Sequence, residues 1–364
     1  MYKKNPQPDI KLVIDILTGK KQSRDVKYLE LIIDDEILEQ YTHQYLKRTW
    51  IPYQRFDLTK RAQYWDNVIE CYYRLGYSGL RVSNGLTFKF DMKKALDTTS
   101  SSRVNRSWAN HDGKIKDQDS FNTYPWPTVD DIDLWDYHYV SKHLPEGMGI
   151  LACVYGGIFE MLSEYLVGFE ELSYMTIDNP DLVEKIFKKV GDTLLLAYEE
   201  IITIDKVEVI FQGDDLGYTE GLLFSPTFYR EYVFPWHKAL ALLAHKHHKY
   251  YFLHSCGNLR DLKDDLIALG IDAKHSYEDK GWSVIDFYNE MHHHMGIIGG
   301  VDVDKLCRLG NEEFTKYAIS ILDNCTKHGR YIYGSGNSIA NYVPLEKFLL
   351  MLEIANNYKI EENL

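Results

Sequence analysis

Residues 250–278 read YYFLHSCGNLRDLKDDLIALGIDAKHSYE, and the fold can be read outward from this stretch. An apolar run (250–254, YYFLH) ends on His-Ser-Cys and a Gly-Asn turn. A helical pattern (259–269) follows, then a second run (271–275, IDAKH) that closes on Ser276-Tyr277-Glu278. Strand, helix and strand at this spacing form the unit of a parallel sheet with helices outside it. Further strand runs lie at 78–83 (SGLRVS), 149–154 (GILACV), 207–212 (VEVIFQ), 295–299 (MGIIG) and 330–334 (RYIYG). Helical stretches such as 180–202 and 225–247 alternate with them. Asn179-Pro180 and Ser225-Pro226 each place a capping side chain before a proline at the first helical position. Seven or eight such units predict a (β/α)8 TIM barrel over residues 66–364. No GxGxxG follows the first strand, as a dinucleotide-binding sheet would require. Residues 1–65 are expected as an N-terminal helical extension over the barrel's lower end. The polar, aromatic segment 84–127 is expected to be a long loop or lid.

Composition narrows the function classes. A net charge of −13 over 364 residues argues against nucleic acid, which needs a basic face, and against an anionic membrane surface. No stretch approaches the ~18 consecutive apolar residues of a membrane span. Five scattered cysteines fit reduced thiols, so the expected compartment is cytoplasmic. The 28 tyrosines have no single physical account at this stage.

In such a barrel the chemistry sits at the C-terminal ends of the strands. That rule selects Arg81 and Asn84, Asp214-Asp215, His254 and Cys256, Ser276 to Asp279, Asp302 and Asn337. His254 and Cys256 have period-2 spacing at a strand end, so both side chains point the same way and can share one ion. Imidazole with thiolate is a zinc pair. The competing reading is a buried cysteine acting as a small hydrophobe, beside a histidine satisfied by a carbonyl. Glu278, on the neighbouring strand's rim, is the candidate third ligand, with Asp279 and His275 as substitutes. Three protein ligands with one open position describe a catalytic zinc site. Asp215 and Asp214 are candidates for acid/base work, for orienting a metal ligand, or for a helix N-cap. Arg81 is a candidate anion anchor, with Trp108, Tyr155 and Tyr218 as pocket walls. His292-His293-His294 lies at a helix end away from that rim and reads as a solvated loop.

The runs 252–258 (FLHSCGN), 213–231 (GDDLGYTEGLLFSPTFYRE) and 333–344 (YGSGNSIANYVP) resemble the uroporphyrinogen decarboxylase superfamily. So do 105–115 (NRSWANHDGKI), 124–127 (YPWP) and 157–171 (GIFEMLSEYLVGFEE) with Asp178-Asn179-Pro180. The resemblance spans roughly residues 75–357 and implies the same (β/α)8 barrel. The arginine-rich RQAGRY-like motif of true decarboxylases is missing from the first 60 residues, where Arg24, Arg48 and Arg55 are widely spaced. The zinc-dependent corrinoid:thiol methyltransferase branch is more similar. Methylcobalamin:coenzyme M methyltransferases hold zinc by His-x-Cys and a distant Cys, and cobalamin-independent methionine synthase adds a Glu. His254, Cys256 and Glu278 match those patterns. The distant Cys does not: Asn337 takes its place, either as an oxygen ligand or to orient substrate.

The resemblance therefore implies one zinc per chain and methyl transfer at a metal-bound thiol or methoxyl compound. It also implies methylcobalamin supplied by a corrinoid partner protein, and a homodimer. Two rivals stay open. One is a metal-free decarboxylase or lyase with Asp215 as acid/base; the other is a catalytically silent binding barrel.

Overall fold

A computed structural model describes residues 2–96, 105–109 and 113–360, with backbone only at 92–96 and 105–109. In chain order the strands are β1 (Gly79–Val82), β2 (Met92–Leu96), β3 (Asn105–Ala109), β4 (Gly149–Ala152), β5 (Val207–Gly213) and β6 (Gly217–Tyr218). They continue as β7 (Gly221–Leu222), β8 (Tyr250–His254), β9 (Ala273–His275), β10 (Gly296–Ile298) and β11 (Tyr331–Ile332). All seven strands expected from sequence pair in parallel in one sheet, in the order β1-β4-β5-β8-β9-β10-β11. The sheet curls into the barrel type expected.

Its closure comes from the N-terminal segment. Tyr28 bridges Tyr333 and Ile33 bridges Ile339, both in parallel sense. The Leu29 amide donates to the Tyr333 carbonyl (3.0 Å), and the Tyr333 amide donates to Lys27 (2.9 Å). Residues 27–33 thus cover the β11 edge like an eighth strand. Towards β1 the seam is filled by side chains: Leu29 packs on Gly79, and the Tyr28 and Tyr77 rings meet edge-on at 5.1 Å.

Side-chain alternation sorts the core into two layers. Leu29, Leu31, Leu151, Val209, Phe211, Phe252, Ala273, Ile298 and Ile332 fill the barrel. Their neighbours along each strand pack outward against the helices. Helix α1 (Ile10–Leu17) joins the inner cluster through Ile10, Val13, Ile14 and Leu17. Ile10 reaches Gly149 and Leu17 reaches Gly296, the first residues of their strands, so α1 plugs the lower end. The upper end of the barrel is left uncovered by this helix. Helix α2 (Asp35–Tyr41) and helix α3 (Leu58–Leu75) pack on the flank beside β1.

Four local expectations change. Segment 84–127 carries an antiparallel β2–β3 hairpin and a short helix (Gln118–Thr123) instead of plain loop; residues 97–104 and 110–112 lie outside the described part. Asn179 makes no side-chain cap bond, whereas Ser225 Oγ accepts from the Phe228 amide. The helix expected at 225–247 is broken by a π turn (Tyr229–Val233), because Pro235 has no N–H to continue the regular ladder. In the histidine tract, His292 is buried and stacks on Tyr288 at 4.7 Å, and only His293 and His294 are exposed. Among the described residues no helix is long and apolar enough to cross a membrane.

The tyrosines acquire a purpose here. Tyr77, Tyr137, Tyr198, Tyr229, Tyr251 and Tyr333 are fully buried in the layer between sheet and helices, where a long flat ring fills more width than an aliphatic side chain. If residues 27–33 are a true part of the barrel, Leu29→Ala should behave as a core deletion. The expected cost is about 2–5 kcal/mol, seen as a lower urea midpoint at unchanged slope. A loss under about 0.5 kcal/mol, typical of a surface substitution, would mean that the segment merely lies on the barrel.

Candidate metal centre

Strand register brings the first two donors together. Gly213, the last residue of β5, pairs with His254, the last of β8, and the Asp214 amide donates to the His254 carbonyl (2.9 Å). Asp215 is thereby set beside His254. One turn on, the Cys256 amide donates to Asp215 Oδ1 at 2.8 Å. Gly257 then turns the chain with φ +85; a Cβ there would fall 2.2 Å from the Gly217 carbonyl carbon, so the β6–β7 hairpin can close over the loop only above glycine. Among the described residues Asp215, His254 and Cys256 are the group whose ligand atoms all lie within 4.8 Å of one another.

The histidine protons can be assigned by elimination. His275 Nε2 lies 3.1 Å from the Ser335 carbonyl, which can only accept, so Nε2 carries a hydrogen. Burial pushes His275 down to about 3, so the ring is neutral and its Nδ1 is a bare acceptor. His254 Nδ1, 2.8 Å away, must then donate. Burial, with His275 alongside, holds His254 well below its ordinary value too, which leaves its Nε2 with a free lone pair. That lone pair faces Asp215 Oδ1 at 3.5 Å and Cys256 Sγ at 3.5 Å.

A lone pair opposite a carboxylate is repulsive unless a cation or proton stands between them. The spacing suits a cation. Tetrahedral zinc with ordinary bond lengths needs an N···S edge of about 3.6 Å and an N···O edge of about 3.4 Å. Burial and the Asp215 carboxylate push the Cys256 thiol up, a field that a bound divalent ion would reverse. Nitrogen, sulfur and carboxylate oxygen therefore fit zinc as a donor set.

The other candidates are dispersed around this cluster. Glu278 is not part of it: its Oε2 accepts from Thr219 Oγ1 (3.1 Å), and the carboxylate at the cluster is Asp215. Asn337 points its amide nitrogen at Cys256 Sγ (3.3 Å). Glu278 and Asn337 both line a cavity of about 470 Å³ with Asp279, Asp302 and Lys305. Asp214 turns inward instead of towards chemistry. It is fully buried and accepts from the Phe159 and Glu160 amides (2.9 Å each) and from His237 Nε2 (2.8 Å), as a cap and clamp would. Arg81 faces the barrel interior, with Nη2 2.7 Å from Cys153 Sγ. Tyr155 lines a separate cavity of about 310 Å³ with Asn84 and Arg55, and Tyr218 is half exposed on β6. The Trp108 backbone pairs with Lys93, and its side chain lies outside the described part.

Two participants, Glu160 and Lys274, escaped the sequence reading. Burial and the nearby Asp215 push Glu160 well above the usual carboxylate range. It follows β4 at the rim, so the strand-end rule could have found it. Ser276, which the strand-end rule had selected, has φ +84 and donates its hydroxyl towards Cys256 Sγ at 3.5 Å. Lys274 is buried, and its ammonium donates to the carbonyls of Ser255 (3.2 Å), His275 (3.2 Å) and Ser276 (2.7 Å). Burial lowers it to about 7. A lysine inside an apolar strand run was its one signal.

Comparison with known proteins agrees with this architecture. Residues 138–358 match the family model described as uroporphyrinogen decarboxylase (URO-D). No curated protein matches. Among solved structures the chain is similar to a methyltransferase from Methanosarcina mazei, at 14% identity and a TM-score of 0.69, over 97% of this chain and 99% of that one. It is also similar to a B12-independent methionine synthase from Shewanella sp. W3-18-1, at 13% identity and a TM-score of 0.50, over 82% and 87% of the two chains. At such identities the likeness bears on fold. The family match takes in more than half of the sequence, and the chain belongs to the uroporphyrinogen decarboxylase family.

Proposed function

We propose that this protein is a zinc-dependent methyltransferase that holds one zinc ion by Asp215, His254 and Cys256. In this reading it moves a methyl group between a small thiol or methoxyl compound and a corrinoid protein. The observation that carries the metal is the facing of the His254 lone pair, the Asp215 carboxylate and the Cys256 sulfur at zinc-like edges. The two methyltransfer enzymes among the structural neighbours support the chemistry. Bound there, zinc would supply Lewis acidity to a substrate sulfur or oxygen at its open position.

The chain's own residues would do the rest. Asp215 and the Cys256 thiolate together carry two negative charges, which balance a divalent ion as two thiolates would. The carboxylate is harder than the second cysteine of the coenzyme M branch, so an oxygen donor competes better with a thiol here. Asn337 and Ser276 donate towards the Cys256 sulfur and draw charge from it, which keeps the thiolate from acting as the methyl acceptor itself. His275 fixes the tautomer of His254. Substrate would enter through the cavity beside Asn337, where Glu278 and Asp302 favour a neutral or cationic compound over an anionic one.

Elemental analysis of protein without a histidine tag is the direct test. Wild type should carry about one zinc per chain, and Cys256→Ser and Asp215→Asn should lose most of it. A wild type that neither contains nor takes up zinc would end the methyltransferase reading. It would leave Asp215 and Glu160 as the acid/base pair of a metal-free lyase.

Acid stability should follow His275. Its folded value of about 3 lies below the unfolded value of about 6.5, so the unfolded chain binds the proton more readily. The neutral ring's contribution is complete above pH ~6.5 and is lost as pH falls towards ~3. Urea midpoints measured with a chelator present should decline across that window. His275→Gln should flatten the decline; an equally steep slope in the variant would show that other groups cause it.

A further inference from the structure

Glu30 lies outside the cluster described above, on the segment that closes the barrel. Leu29 and Leu31 face the interior, so Glu30 points to the outer side of the sheet, where it is only 1% exposed. Both of its oxygens engage one residue. Oε1 accepts from the Ser335 amide (3.0 Å), and Oε2 lies 2.5 Å from Ser335 Oγ.

Ser335 then branches. Its carbonyl accepts from His275 Nε2 (3.1 Å), and His275 accepts from His254 (2.8 Å). Its hydroxyl reaches the Asn337 carbonyl (3.2 Å), and the Asn337 side chain donates to Cys256 Sγ (3.3 Å). One buried carboxyl is thus linked to two of the three metal donors, His254 and Cys256, through a single serine.

We propose that Glu30 is a positioning residue for the metal centre: it clamps Ser335 and thereby fixes both the His254 tautomer and the hydrogen bond to the Cys256 sulfur. This rests on the zinc reading above. Proton accounting supports it. The groups whose fields couple to Glu30 are the Tyr72, Tyr77 and Tyr333 phenols, and burial pushes its carboxyl up to about 8. As a neutral acid, Glu30 donates from Oε2 to Ser335 Oγ. The serine hydroxyl hydrogen goes on to the Asn337 carbonyl, and the Ser335 amide hydrogen goes to Glu30 Oε1. Every hydrogen shared between Glu30 and Ser335 then has an acceptor, where an unmatched one is costly.

Glutamine at this position can repeat the pattern, since its NH2 donates where the acid did and its carbonyl accepts. Alanine cannot. The experiment compares zinc dissociation constants, by chelator competition, for wild type, Glu30→Ala, Glu30→Gln, Ser335→Ala and Cys256→Ser. Absorption spectra of the cobalt-substituted forms are recorded at a temperature where circular dichroism shows each variant folded. Glu30→Ala should bind zinc on the order of 10–100-fold more weakly and shift the sulfur-to-cobalt band. Glu30→Gln should recover most of that loss. Ser335→Ala keeps its carbonyl on His275 and should shift the sulfur band alone, which tests the relay even if Glu30→Ala does not fold. If Cys256→Ser loses zinc while Glu30→Ala and Ser335→Ala keep wild-type affinity and spectra, the relay is wrong and the zinc centre stands. If wild type takes up no zinc, both fall together.

Discussion

A curled parallel sheet ends in rows of N–H and C=O groups that need partners, and in this chain residues 27–33 pair with the β11 edge. The remaining seam, against β1, is closed by apolar and aromatic contact between Leu29 and Gly79 and between Tyr28 and Tyr77. With α1 beneath, the inner cluster is sealed from below, so polar groups of the interior can gather only at the upper rim. The site's supports follow from that closure. Ser335 lies just beyond β11, within reach of Glu30 on one side and of His275 on the other.

At the rim, the governing constraint is the direction of hydrogen bonds. A carbonyl cannot donate, and that fact at Ser335 propagates through two imidazoles until a bare nitrogen lone pair meets a carboxylate and a sulfur. Three lone-pair donors converge where an apolar contact would have been simpler to build. The Lys274 amine is spent on three backbone carbonyls, and it acts on Asp215 and Cys256 only through its field. Its part is to hold the chain between Ser255 and Ser276 against the strain of a left-handed serine.

Strand runs were legible because burial on both faces makes them short, apolar and bounded by turns. The His254-Cys256 pair was legible from period-2 spacing joined to its place at a strand's C-terminal end, before a Gly-Asn turn. Which carboxylate joins that pair was not. Glu278 and Asp215 both follow strands at the rim, and sequence does not say which neighbour's side chain reaches inward; the register of Gly213 with His254 decides for Asp215. Asp214 and Asp215 were both candidates on paper, and one chain step turns the first onto helix amides and His237 and the second onto Cys256. Residues 27–33 escaped notice as a strand because their pairing partner is some three hundred positions away, and local pattern carries no trace of it.

That separation has a kinetic meaning. Contacts between residues near 30 and residues near 335 are among the most distant a chain of this length can make, and such contacts form late because loop closure must precede any gain. During synthesis the segment that closes the barrel leaves the ribosome long before its partner, and it must wait with Leu29 and Leu31 uncovered. His254 and Cys256 are made well before Ser335 and Asn337 can organise them. The hydrogen bonds that orient His254 and Cys256 are therefore completed at the final stage of folding, when the two distant parts of the chain first meet.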